Sequence, residues 1–405
     1  MFEPCNVAKE HPMINILLAL RGFITSTTYR FIIKPLIFLW APEIAHNKLK
    51  AFGKFMSSNS LGQSILSTLF YYQHKSLNTT VDGVSYDNPI GLSAGFDKDG
   101  ELTDAYPSLS FGFAELGSFT GEVCPGNPGV GRRLFRMKKS KSILVWYGLN
   151  NQGAEKISAR LKNKKFKIPI GVNAAKSNLT PEFILENSIA DYLKTLRAFE
   201  GIGDYFTINI SCPNTQDDEP FVNKENLEAL LSAIDAERKP GRPIYVKLAA
   251  DLEIEEINII LDACMKYKMD GVVLTNLAKP EFNKEYVKEE LTFHKGAMSG
   301  LPLQRIATSV VRHVYRYTRG KLTIIAVGGV FTAEDAYEKI TSGANLIEMI
   351  TAMIYEGPQV MGEINRGLVE LLKKDGFSSI EEAVGTRNPL PPLEDSDEQS
   401  SNTSS

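Results

Sequence analysis

The chain has 405 residues, of which 43% are hydrophobic and 23% charged, so it can bury a large core. A formal net charge of -3 supplies no positive field for nucleic acid, and no nucleic-acid partner is expected. The four cysteines, Cys5, Cys124, Cys212 and Cys264, are scattered and form no CxxC pair. That pattern argues against structural zinc or an iron–sulfur cluster and for a reducing compartment.

Residues 1–60 differ from the rest. Met13 to Ala41 is strongly apolar, but Arg21, Arg30, Lys34 and Pro35 interrupt it, and the runs Ile14–Leu20 and Phe31–Trp40 are short for a membrane span. A secretory signal fits poorly, because Glu3 and Glu10 lead the chain. Residues 1–58 hold seven Lys or Arg against three Glu, a net +4. Apolar and basic together, with Tyr29 and Trp40 as amphipathic anchors, predict helices lying in a membrane interface.

From residue 81 short apolar runs alternate with helix-like stretches. The expected strands are 90–94, 114–117, 168–173, 205–210, 244–248, 271–275, 323–327 and 346–350, each a short and mostly apolar run as strands buried on both faces are. Expected helices between them include 226–237, 254–267, 302–318 and 333–342. Eight such units predict an α/β fold, a closed (β/α)8 TIM barrel over 61–386, with chemistry at the carboxyl ends of the strands. Residues 387–405 are Pro-rich, then acidic and Ser-rich, and are expected to be disordered.

The expected strand ends are polar. The first runs into Ser93, Ala94, Gly95 and Lys98, and the second ends at Ser118. The third ends at Asn173, the fifth carries Lys247, and the sixth gives Thr275 and Asn276. Gly328 and Gly329 follow the seventh strand, Thr351 follows the eighth, and Ser299-Gly300 offers a further glycine turn. Lysine almost never enters a core unpaired, so Lys98 and Lys247 imply an anionic partner. The glycines present backbone N–H groups suited to a phosphate. The fourth strand is the most telling: Thr207 to Thr215 breaks at Pro213 and presents Asn209, Cys212 and Asn214 together. A thiol titrates near about 8.5, close enough to neutral pH to serve as a general base.

These residues, with the motifs Gly95 to Gly100, Arg133 to Arg136, Asn209 to Thr215, Ser299 to Leu303 and Val327 to Gly329, make the chain resemble dihydroorotate dehydrogenase over roughly residues 40–386. The resemblance implies an FMN-binding barrel that oxidises dihydroorotate to orotate in pyrimidine synthesis. Pro42 to His46 is similar to the N-terminal segment of the quinone-dependent, membrane-associated branch, which implies quinone as acceptor and His46 and Arg136 near it. By the same resemblance FMN would contact Ser93, Ala94, Gly95, Lys98, Ser118, Asn173, Asn209, Lys247, Thr275, Ser299, Gly300, Gly328, Gly329 and Thr351. Lys98, Asn209, Asn214 and Asn276 would hold the substrate, and Cys212 would be the base. Lys247 would meet negative charge on the flavin's pyrimidine edge. A membrane surface is the implied location, with the cytoplasmic face of a bacterial inner membrane favoured over a mitochondrial one. Gln216 to Glu219 is expected to begin a lid over the site.

Four positions depart from the family pattern. Cys212 stands where the quinone branch usually has Ser, Val145 where an Asn is usual, Leu277 where a Thr is usual, and Ile350 where the quinone branch has Tyr. Losing a buried hydrogen-bond partner costs about 1–3 kcal/mol per group. Val145 and Leu277 therefore favour weaker substrate binding or an alternative: another cyclic amide, or a soluble acceptor such as fumarate.

Overall fold

The computed structural model describes residues 12–128, 132–178, 183–211, 220–282, 284–290 and 295–391. Eight parallel strands close into a barrel: β1 (Ile90–Leu92), β2 (Phe113–Phe119), β3 (Ile170–Ala175), β4 (Tyr205–Asn209), β5 (Ile244–Leu248), β6 (Gly271–Leu274), β7 (Thr323–Val327) and β8 (Leu346–Met349). Each strand pairs with the next in sequence and β8 closes on β1, so every expected strand is present and in order.

Helices cover the outside. In the helix Gln304–Tyr317 the buried residues Ala307, Val310, Val311 and Val314 recur at helical spacing. The helices Ile254–Lys266 and Ala333–Thr341 both begin with capping boxes, Glu253 with Glu256 and Thr332 with Asp335. The helix Val360–Asp375 stops at Gly376, whose φ of 83° is left-handed.

Inside the barrel the strand period of two sorts side chains into layers. The lowest layer is apolar and aromatic, with Phe113, Tyr205, Tyr245, Ile325 and Leu346 in one buried cluster. Two residues further along their strands come Glu115, Thr207, Lys247 and Glu348, so the next layer is polar although it is wholly buried. The cavity opens above it.

A three-stranded antiparallel sheet, Leu134–Met137, Ser142–Val145 and Ala297–Gly300, lies outside the barrel. Sequence reading missed it and treated Ser299-Gly300 as a loop. In fact Ser299 pairs with Ile143 and Gly300 with Ser142.

At the N-terminus, α1 (Pro12–Thr28), a π-helical turn at Tyr29–Ile33 and α2 (Lys34–Ile37) are continuous. The two runs read as short therefore join, and Met13–Ile37 is long and apolar enough to cross a membrane by length and composition. The positions that interrupt the apolar pattern tie this helix to the barrel. Arg21 donates to Thr68 O and Tyr71 O, Tyr29 to Ile354 O and Lys34 to Tyr355 O, while Arg30 pairs with Glu356 at 3.1 Å. The hairpin of α3 (Pro42–Ser57) and α4 (Ser60–Phe70) runs past residue 60, the expected domain boundary.

Candidate active site

One cavity sits at the carboxyl ends of the strands. Its wall contains His46, Ser93, Ala94, Gly95, Lys98, Ser118, Asn209, Lys247, Thr275, Asn276, Ser299, Gly300, Gly328, Gly329 and Thr351, all expected from the sequence. Cys212, Asn214 and the expected lid at 216–219 lie outside the described residues. Two expected residues are not on the wall. Asn173 sits at the level of the polar layer, where its Nδ2 donates to Glu115 Oε1 at 2.7 Å. Arg136 lies at the junction with the N-terminal helices, donating to Trp40 O at 2.9 Å with its guanidinium 4.4 Å from the Phe38 ring centre.

The two asparagines of the rim are held together. Asn209 Nδ2 donates to Ser118 Oγ at 2.9 Å, and its Oδ1 accepts from Ser211 N and Oγ. Asn276 Nδ2 donates to Ser211 O at 2.7 Å, so the ends of β4 and β6 present both carboxamides in a fixed pair. Beneath, Tyr192 OH donates to Asn209 O and fixes the strand end.

Lys98 lies over the Tyr147 ring, with Nζ 3.1 Å from its centroid. Burial, then the neighbouring Arg133, pulls its pKa down to about 7.

Lys247 has its anions inside the protein. Nζ lies 3.1 Å from Glu115 Oε1 and 3.4 Å from Glu348 Oε2. Burial pulls the ammonium down, but the two carboxylates outweigh it and leave the pKa above the usual lysine value. Neither glutamate was singled out from the sequence. The available signal was an acidic residue in the middle of an otherwise apolar strand, in Phe113 to Phe119 and in Leu346 to Ile350.

On the opposite side Ser299 Oγ and Thr351 Oγ1 are 2.8 Å apart, beside Gly328 and Gly329. A Cβ on Gly329 would approach Gln304 Cα to 2.3 Å, and one on Gly300 would approach Lys141 O to 2.4 Å. Both glycines also have positive φ, 71° and 90°, so backbone is packed here where side chains cannot be. Val145, Leu277 and Ile350 line the same cavity and bring no polar side-chain atom to it.

His46, from α3, reaches the cavity wall and packs edge-on against Phe96 at 5.1 Å between ring centres. Burial, then Lys98 and Lys50, lowers its pKa to about 4, so it is neutral across the physiological range. The cavity wall therefore combines a polar floor, a glycine-lined side and apolar stretches, and α3 contributes His46 to it.

The family model for dihydroorotate dehydrogenase matches residues 76–372. The chain is 37% identical to the dihydroorotate dehydrogenase (quinone) of Trichodesmium erythraeum over 383 residues, covering 89% of this chain and 99% of that protein. It is 39% identical to the protein of that name from Crocosphaera subtropica over 359 residues, covering 85% and 93% respectively. The crystal structure of the Eimeria tenella dihydroorotate dehydrogenase in complex with ferulenol is similar with a TM-score of 0.73 at 26% identity, covering 85% of this chain and 95% of that one. With the barrel, the cavity and these matches in agreement, the chain belongs to the dihydroorotate dehydrogenase family, on its quinone-dependent branch.

Proposed function

We propose that this protein oxidises dihydroorotate to orotate with FMN as cofactor and passes the electrons to a quinone at a membrane surface, a step of pyrimidine synthesis. The observation that carries the reading is the convergence of Lys98, Asn209, Asn276 and Lys247 on one cavity in a chain of this family.

The residues present fit FMN. Thr275 Oγ1 and Glu348 Oε1, both of residues on the cavity wall, are buried without a hydrogen-bond partner, as expected of groups that await a polar ring. The glycines at 300, 328 and 329, with Ser299 and Thr351, make a cradle narrow in side chains and rich in donors, suited to a phosphate. When bound, FMN supplies the two-electron acceptor for the substrate and the donor for quinone.

The chain's own residues do the rest. The Lys98 ammonium would pair with the substrate carboxylate, and the Asn209–Asn276 pair, with Asn214, would hold its planar amide groups in one orientation. Cys212 would accept the proton from C5 of the substrate. His46 and Arg136 would border the quinone, on the side where the N-terminal helices meet the barrel. Binding of orotate should weaken as pH rises above about 7, by up to tenfold per unit, because Lys98 must gain a proton to meet the carboxylate. A dissociation constant that is flat up to about pH 9, measured by flavin absorbance, would assign that carboxylate to another cation.

The membrane reading rests on the outer face of the N-terminal helices, where Phe23 is 69%, Phe31 70% and Leu39 81% exposed. An apolar face of this kind, tied by its other side to the barrel, suits a helix lying in the interface. Deleting residues 1–40 should weaken lipid association and quinone turnover while sparing the substrate half-reaction. Undiminished binding of the truncated protein to vesicles would remove the interfacial role.

The decisive experiment mixes the purified yellow protein with dihydroorotate without oxygen and follows flavin absorbance. Bleaching, then recovery on adding quinone, is the expected result. A flavin that stays oxidised would move the substrate to a less polar cyclic amide, the reading that Val145 and Leu277 on the cavity wall favour. Bleaching without recovery would move the acceptor to a soluble one.

A further inference from the structure

Lys247 faces two carboxylates where one would balance it. Lys247, Glu115 and Glu348 are each 3% exposed or less, and a surplus buried charge in a low dielectric is costly. The pair of carboxyl groups relieves the surplus by holding one proton.

The surroundings assign that proton. Glu115 accepts from Asn173 Nδ2 at 2.7 Å, from Thr207 Oγ1 at 2.6 Å and from Lys247, three donors that favour its ionised form. Glu348 lines the cavity, and its Oε1 is buried with no hydrogen-bond partner. An oxygen without donors is the one that carries a proton, or that offers it to a ligand.

We propose that Glu348 is a positioning residue that acts through Lys247: it sets the net charge of the barrel floor and, wherever it is ionised before reduction, takes up a proton from water when the flavin gains two electrons. The inference rests on the FMN reading above. Negative charge arriving in the cavity makes an ionised Glu348 more costly, so electron arrival and proton arrival are coupled. The two electrons come from dihydroorotate, as hydrogen leaves its C5 and C6. The proton gained by Glu348 returns to water when quinone removes the electrons, so the cluster is unchanged over a turnover.

Burial, then Glu115, pushes the Glu348 carboxyl up to about 8, against a downward pull from Lys247. Among the described residues the other titratable groups that interact with it are Tyr86 and Tyr205. Burial raises both phenols far above their usual value, so they keep their protons throughout.

A redox titration of the holoenzyme between about pH 6 and 10 tests the proposal. Each proton taken up per two electrons shifts the equilibrium tenfold per pH unit, about 30 mV for a two-electron couple. Above about pH 8 the wild-type potential should fall more steeply than that of Glu348→Gln by one such increment, with parallel slopes below. Glu348→Asp, which keeps an acid, should retain the steeper slope. Parallel slopes for wild type and Glu348→Gln over the whole range would overturn the proposal, because a merely structural glutamate does not change proton stoichiometry. If the variants do not hold flavin, a redox-difference infrared spectrum of the wild type at about pH 9 decides instead: a protonated carboxyl band should grow on reduction, and its absence would overturn the proposal. A wild-type protein that holds no flavin would overturn the FMN reading, a separate outcome.

Discussion

Replacing Lys247 with methionine is expected to destabilise the fold by roughly 3–5 kcal/mol, the usual consequence of removing one partner from a buried ionic cluster. Methionine keeps most of the stem's bulk, so the loss is electrostatic rather than a cavity effect. It leaves Glu115 and Glu348 facing each other in the barrel with no cation. The loss should grow with pH. Glu348 already has a raised pKa, so the folded state binds more protons than the unfolded chain, and stability falls as pH rises from the ordinary glutamate value through about 8. Removing Lys247 takes away the larger of two influences that lower that pKa, the other being a hydrogen bond from Ser93, and moves the window upward. Urea unfolding at several pH values measures this. A Lys247→Met protein as stable as wild type at about pH 8 would show that the three side chains are not an electrostatic unit. Adding Glu348→Gln to the variant should recover part of the loss, since it removes one of the two uncompensated carboxyls.

Cys212→Ala should leave flavin bound and slow its reduction by dihydroorotate about 10²–10⁴-fold, the usual contribution of a positioned base. The wild-type reduction rate should rise tenfold per pH unit and level off above the thiol pKa, about 8.5 if unperturbed. Stopped-flow absorbance separates this step from quinone reoxidation. An unchanged rate in Cys212→Ala would remove the thiol from the mechanism. A rate independent of pH in wild type would mean that the proton leaves to a group other than a thiol.

The two expectations differ in where they come from. The Cys212 expectation comes from the chain alone, where Asn209, Cys212 and Asn214 fall within six residues after an expected strand. The Lys247 cluster is not. Glu115, Lys247 and Glu348 are 132 and 101 residues apart in sequence, and only barrel closure brings β2, β5 and β8 to face one interior. Reading strands as apolar on both faces hid them, since one acidic residue among four hydrophobic neighbours hardly changes a hydropathy pattern.

The number and order of the eight barrel units are legible in the chain alone. Hydrophobic period and turn chemistry are local properties, and eight alternating units permit few closed topologies. The sequence also determined most of the cavity wall, because carboxyl strand ends converge in any such barrel. Tertiary structure alone decided four things. It joined two short apolar runs into one helix from Met13 to Ile37, through a π-helical turn whose Tyr29 bonds to Ile354. It turned Ser299-Gly300 into the edge of an antiparallel sheet by pairing it with residues 142–143. It set Asn173 below the cavity and Arg136 at the junction with the helices. And it gave Lys247 its anions from inside the protein. In each case the deciding partner is distant in sequence, and burial, which makes an unpaired charge or amide costly, is a property of the assembled fold.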